Sequence, residues 1–207
     1  MKFRSIALCC AGLLCSIANA TTDASSLKLQ VYSVMLSTSP QCTSPVTVFS
    51  NTTPTEVDFL VAPTLGSGNP PDGTYPCIII KMSDTIKFTP TTNDGSCTGN
   101  QQYTTDVCQT GESTRAPDAV GSANACSTGA PDLVYLYLTT GRIGSGGGNA
   151  FLQPLAPNNT TYGVNLTSPL VVSGTATAKF VVTAKNAVDG SGPSCGMNAP
   201  VFGFKIP

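Results

Sequence analysis

Along most of this chain apolar and polar residues alternate one for one, and the spacing of an amphipathic helix is nowhere sustained. Leu27-Lys28-Leu29-Gln30-Val31 places an apolar side chain at every second position, and the pattern runs on through Val34 and Leu36. A period of two sets one face of a strand against the core and the other toward solvent. Val46-Thr47-Val48-Phe49 predicts a second strand and residues 57–61 a third. The run from Tyr75 to Met82 holds Cys77, three isoleucines and Met82 and predicts the strongest strand, with Ile86-Lys87-Phe88 continuing it after Ser83-Asp84. Leu133 to Leu138 sets Val134, Leu136 and Leu138 against Tyr135 and Tyr137. Residues 170–172, 177–184 and 201–206 complete the set. Turn signals lie between them at Pro71-Asp72-Gly73, Asn93-Asp94-Gly95 and Val188-Asp189-Gly190. The pattern predicts an all-β protein: a two-sheet antiparallel sandwich of about eight or nine strands, with a small closed barrel as the alternative.

Two stretches break the alternation. Residues 90–131 carry only Tyr103, Val107 and Val120 as sizeable apolar groups, yet hold Cys97, Cys108 and Cys126. So long a run without elements is uncommon in a compact domain. It reads as a long disulfide-tied loop excursion on the surface, an irregular Cys-rich insertion without its own core. Gly141 to Asn149 reads as a flexible connection between strands: it lacks both phosphate-binding glycine signatures and no helix follows it. No fixed-period repeat or second composition regime divides the chain, so residues 21–207 are expected to form one domain.

Composition places that domain. Residues 1–20 read as a secretory signal peptide: Lys2 and Arg4, then an apolar stretch from Ile6 to Ile17, then Ala18-Asn19-Ala20 as the cleavage site before Thr21. The competing reading, a lipid anchor at Cys15, meets Leu14 where a small residue is wanted. The apolar stretch is too short to cross a bilayer of about 30 Å, and no later run is long enough for a transmembrane helix. Cleavage removes Cys9, Cys10 and Cys15 and leaves Cys42, Cys77, Cys97, Cys108, Cys126 and Cys195 as disulfide candidates. An even count in an exported chain favours disulfides and a periplasmic, cell-surface or secreted location. Six cysteines allow 15 connectivities; Cys97 with Cys108, in one loop, is the best single guess. Zinc is the weaker reading, because no two of the six stand closer than 11 residues and histidine is absent.

Charge and residue types exclude more than they select. Charged residues are 10% of the chain and the formal net charge is −1, so there is no basic field for nucleic acid. The absence of histidine removes Ser-His-Asp and Cys-His catalysis. Ser25-x-x-Lys28 spells a Ser–Lys pair but leads into a strand, whereas that chemistry needs one helical turn between them. Glu56 and Asp58 fall on one strand face at a spacing that paired carboxylates of a glycosidase use, yet such pairs usually come from different elements. Asp94-Gly95-Ser96 and Asp189-Gly190-Ser191 offer oxygens to calcium but lack the repeated acids of a calcium loop. The sequons at Asn51, Asn158, Asn159 and Asn165 are acceptors only in a host that glycosylates its exports. No metal or cofactor is called for. If Val134, Leu136 and Leu138 face the core, Tyr135 and Tyr137 share the other face, a binding surface for a sugar or a protein unless the 90–131 segment covers it.

Residues 57–88 resemble a stretch of transthyretin-like and Ig-like β-sandwich domains of bacterial surface proteins, in which a P-x-G-x-Y turn, here Pro71-Asp72-Gly73-Thr74-Tyr75, leads into a core strand. The resemblance implies a module for display, adhesion or envelope structure and carries over no catalytic residue. The expected function is therefore non-enzymatic: surface binding, adhesion or envelope or fibre structure, with a glycan or a protein at the cell surface as partner. Self-assembly is a variant of it, in which Leu27 to Leu36 is donated to a neighbour's sheet. The alternative is a carbohydrate-active hydrolase or lyase working through Asp/Glu pairs such as Glu56 and Asp58.

Overall fold

The computed structural model describes residues 21–61, 70–119, 123–143, 148–155, 161–174 and 179–205. Residues 1–20, with the expected signal peptide and Cys15, lie outside them, as do Asn158 and Asn159. After β1 (Thr21–Thr22) comes the fourteen-residue β2 (Ala24–Ser37), then β3 (Val46–Ser50), β4 (Glu56–Asp58) and one 3-10 turn, Phe59–Val61. β5 (Gly73–Tyr75), β6 (Cys77–Ser83), β7 (Thr85–Pro90) and β8 (Tyr103–Asp106) follow, then the short β9 (Ser113–Thr114) and β10 (Asn124–Ala125). β11 (Leu133–Thr139), β12 (Val164–Asn165), β13 (Leu170–Val172), β14 (Lys179–Thr183), β15 (Val188–Asp189), β16 (Gly196–Met197) and β17 (Val201–Lys205) complete the order. The protein is all-β, with no α-helix among the described residues.

β2 organises the rest. Its first half pairs with β4 on one side and β7 on the other; its second half pairs with β3 and β6. Leu27, Leu29 and Val31 enter the larger core cluster, and so do Val34 and Leu36, although their parity is opposite. The register shift between Val31 and Ser33 inserts one residue and restores the inward face. β6 and β7 are two halves of one strand running antiparallel to β2, bent at Asp84. Beyond them the neighbour changes at the bend: β11 pairs with β6 from Leu133 opposite Ser83, and β8 pairs with β7 up to Asp106 opposite Thr85. The described chain at these two ends, 107–119 and 123–132, leaves the sheet through that split.

The ladders make one eight-stranded curled sheet and four smaller ones, β1-β15-β16, β9-β10, β5-β13 and β14-β17. The strands outnumber the expected eight or nine, and the sheets are curled and fragmented, not clearly two opposed layers. The predicted strands recur, except that 57–61 is strand only to Asp58 and then turns as a 3-10 helix, and that residues 177–178 and 206 lie outside the described residues; the mass of the fold is in one sheet, and the additional strands are two to four residues long, too short to show a period. The larger cluster lies on one face of the main sheet and gathers Leu166, Leu170, Val182, Val188 and Phe202 from the covering segments. On the other face Met35, Ile79 and Tyr137 pack around Cys42 and Cys77. β6 is thus buried on both faces, with Ile78 and Ile80 in one cluster and Ile79 in the other, which is why its sequence reads apolar without alternation.

Two further expectations change. Residues 90–131 are not irregular throughout: Tyr103–Asp106 is a strand of the main sheet, and its Thr-rich sequence hid it. Leu27 to Leu36 is hydrogen-bonded on both sides within its own chain, so it is not a strand held ready for donation. All six candidate cysteines form disulfides, Cys42–Cys77, Cys97–Cys195 and Cys108–Cys126. Cys97 does not pair with Cys108: β8 stands between them, and four extended residues at about 3.3 Å each carry the chain away.

Candidate functional site

Over the larger face of the main sheet lies a pocket of about 230 Å3. Leu27 and Leu29 of β2, Ile80 and Met82 of β6, Ile86 of β7 and Phe59 of the 3-10 turn contribute fully or nearly fully buried side chains to it. Alternation on β2 and β6 brings these residues to one face. The walls come from Val107 and Glu112, from Ala150 and Phe151, and from the segment Met197–Pro200 with Phe202. Glu112, Asn198 and Ala199 are exposed, so the pocket runs from a wet rim to a dry floor. Among the described residues Glu112 is the one ionisable side chain on the lining; its Oε2 accepts the Gln109 amide at 3.0 Å. No second titratable group among the described residues lines the pocket to exchange a proton with it. The arrangement is suited to holding an apolar group, with a negative charge at its mouth.

The residues singled out in the sequence lie elsewhere. Tyr137 is fully buried; its hydroxyl donates to the Arg115 carbonyl at 2.6 Å, and burial raises its pKa. Tyr135 is half-buried, its amide donating to Thr114 Oγ1 and its ring 5.7 Å from the Lys81 ammonium. The two rings do share a face, but the 113–115 stretch covers it, so the expected aromatic binding surface is occupied by the chain itself. Glu56 forms an ion pair with Lys87, and Asp58 Oδ1 accepts the amides of Leu27 and Leu60, capping the 3-10 turn. Both carboxylates therefore hold strand ends in place. Ser25 donates its hydroxyl to the Thr89 carbonyl. Asn51 and Asn165 are exposed, and Asn51 Oδ1 accepts the Thr53 amide.

The two Asp-Gly-Ser turns meet each other. The Ser96 amide and hydroxyl both donate to the Gly190 carbonyl, at 2.9 and 3.1 Å, and the Gly190 amide donates to Asp94 Oδ2 at 3.2 Å. Asp189 accepts from Ser191, which lowers its pKa. Oxygens that looked available to calcium are thus used in a clasp beside the Cys97–Cys195 disulfide. The P-x-G-x-Y turn is closed by the Tyr75 hydroxyl, which donates to the Pro71 carbonyl at 2.6 Å.

Sequence reasoning missed the pocket. Its floor residues were legible as core, but alternation does not distinguish a filled core from a hollow one. Its rim, Glu112 and Met197–Pro200, has no periodicity to read. No family model, curated protein or solved structure matches the chain, and no helix among the described residues is long and apolar enough to cross a membrane.

Proposed function

We propose that this is a non-enzymatic exported β-sandwich-like module that acts in binding at the cell surface, in the periplasm or in the secreted medium, by enclosing an apolar group of its partner. The observation that carries this reading is the open apolar pocket on a disulfide-clamped sheet. An apolar lining with one carboxylate at the rim favours an alkyl or aromatic group with a neutral or cationic end over a sugar, whose hydroxyls would find few partners there. The cavity exceeds the roughly 150 Å3 that suffices for benzene in an apolar interior. Three disulfides accord with an oxidising compartment, and the signal-like residues 1–20 with export. The resemblance of 57–88 to surface-protein sandwich domains points the same way, toward adhesion or envelope structure.

Octylamine, titrated calorimetrically into the oxidised protein, is expected to bind with a dissociation constant on the order of 0.1–1 mM. Octanoate binds more weakly, because its carboxylate meets Glu112 at the rim. Ala150→Phe, which fills the pocket, removes binding with an unchanged circular dichroism spectrum. Equal affinity for both probes in the native protein and in Ala150→Phe overturns the reading.

A further inference from the structure

Asp84 sits at the bend between β6 and β7 and is fully buried. Its backbone serves both sides of the split in the sheet: its amide donates to the Asp132 carbonyl, and its carbonyl accepts the Val107 amide. Its side-chain Oδ1 accepts the Asp132 amide at 2.9 Å, while Oδ2 has no hydrogen-bond partner. The charged groups acting on this carboxyl are Asp106, at the end of β8, and Asp132, at the entrance to β11; Asp106 stands within hydrogen-bonding reach. On β2 the residues facing the bend are Leu29 and Gln30, between Val31 opposite Met82 and Lys28 opposite Lys87; of the nearest cations along the bent strand, Lys81 lies over the Tyr135 ring and Lys87 pairs with Glu56. Asp106 accepts the amides of Cys108 and Gly129, so its oxygens are acceptors. No group of three metal-ligating side chains stands together among the described residues. The natural partner for the orphan oxygen is a hydrogen.

We infer that Asp84 and Asp106 share a proton, and that this proton latches the Val107–Glu112 wall of the pocket, together with the stretch from Gly129 to Asp132, onto the bend of the main sheet. The inference rests on reading the pocket as the binding site and names its regulation. With the proton present, Asp84 donates from Oδ2 to Asp106 and every oxygen is partnered. Loss of the proton to solvent leaves a buried carboxylate facing two others, and the strained side is the one through which the wall and that stretch leave the sheet. The wall loosens, and a bound apolar group is held less tightly.

The electrostatics of the site act in the same direction as its burial. Burial raises the Asp84 pKa from 3.8 to about 6, the Asp132 amide draws it back in part, and the charges of Asp106 and Asp132 add to the rise. The closed form thus keeps a proton that the opened form has released. The stability it lends is complete below 3.8 and is lost as pH passes 6.

Hydrogen exchange of the oxidised protein at pH 5 and pH 7.5, corrected for intrinsic rates, tests this. Opening at the amides of Val107, Gly129 and Asp132 should rise about tenfold between the two values, and octylamine affinity should fall in parallel. Asp84→Asn supplies a permanent donor to Asp106 and should abolish the change; Asp106→Asn, which offers Asp84 an amide, should do the same if the first variant folds poorly. An equal rise in the native protein and in both variants overturns the latch. So does a carboxyl resonance of Asp84 that titrates below pH 5. If the exchange difference appears but octylamine binds at neither pH, the latch stands and the pocket reading falls.

Discussion

Single residues hold this fold by close approach as much as by apolar contact. A Cβ built on Gly190 lies 1.6 Å from the Asp94 carbonyl oxygen, and one on Gly95, whose φ is +51°, lies 2.1 Å from the Gly190 oxygen. Both obstacles are backbone and neither can swing aside. Gly190→Ala is therefore expected to cost about 3 kcal/mol in urea unfolding, whereas Gly111→Ala, with open space around it but φ +99°, costs only the strain of its conformation. Equal losses at the two sites would contradict the clasp. Tyr137→Phe leaves the half-buried Arg115 carbonyl without its donor and should cost about 1 kcal/mol, read from the same transition. In the sequence, the two Asp-Gly-Ser turns were visible as turns, but their partnership was not: they are 95 residues apart, and nothing local encodes which turn a turn will meet.

At the scale of elements, β2 and the bent β6–β7 strand carry the structure. Their long apolar segments made them legible. Ile79 is fully buried in the smaller cluster, and Ile79→Ala should lose about 2–5 kcal/mol of stability, a loss that a solvent-facing position would not show. The bulge in β2 was written in the sequence as a change of parity from Val31 to Val34, although alternation alone does not reveal where the extra residue enters. β8 was not legible, because Tyr-Thr-Thr-Asp has one large apolar side chain and is only four residues long. The Tyr103 ring nonetheless stacks on Phe88 of β7 at 5.8 Å, a contact that only the pairing of the two strands creates. The disulfides belong to this scale as well. Cys97–Cys195 closes a separation of 98 residues and Cys108–Cys126 one of 18. Loop-closure entropy predicts that replacing the first pair by serine costs about 1–2 kcal/mol more than replacing the second, measured by unfolding of the two double variants.

For the whole molecule, composition limited the chemistry, and the curled sheet carries the pocket that we propose for binding. The absence of histidine and the scarcity of charge were evident from the chain, and the two glutamates prove to be an ion-pair partner and a rim residue. What the chain could not display is a hollow enclosed by strands far apart in sequence and closed by loops without pattern. This hollow, on the larger-cluster face of the sheet, is the place proposed to receive an apolar group. Methyl NMR tests it most directly, in protein labelled at isoleucine and methionine and titrated with octylamine at pH 5. Shifts are expected for Ile80, Met82, Ile86 and Met197, which line the pocket, and still resonances for Met35 and Ile79, which lie on the opposite face. Shifts centred on Met35 and Ile79, or none at saturating probe, would contradict it.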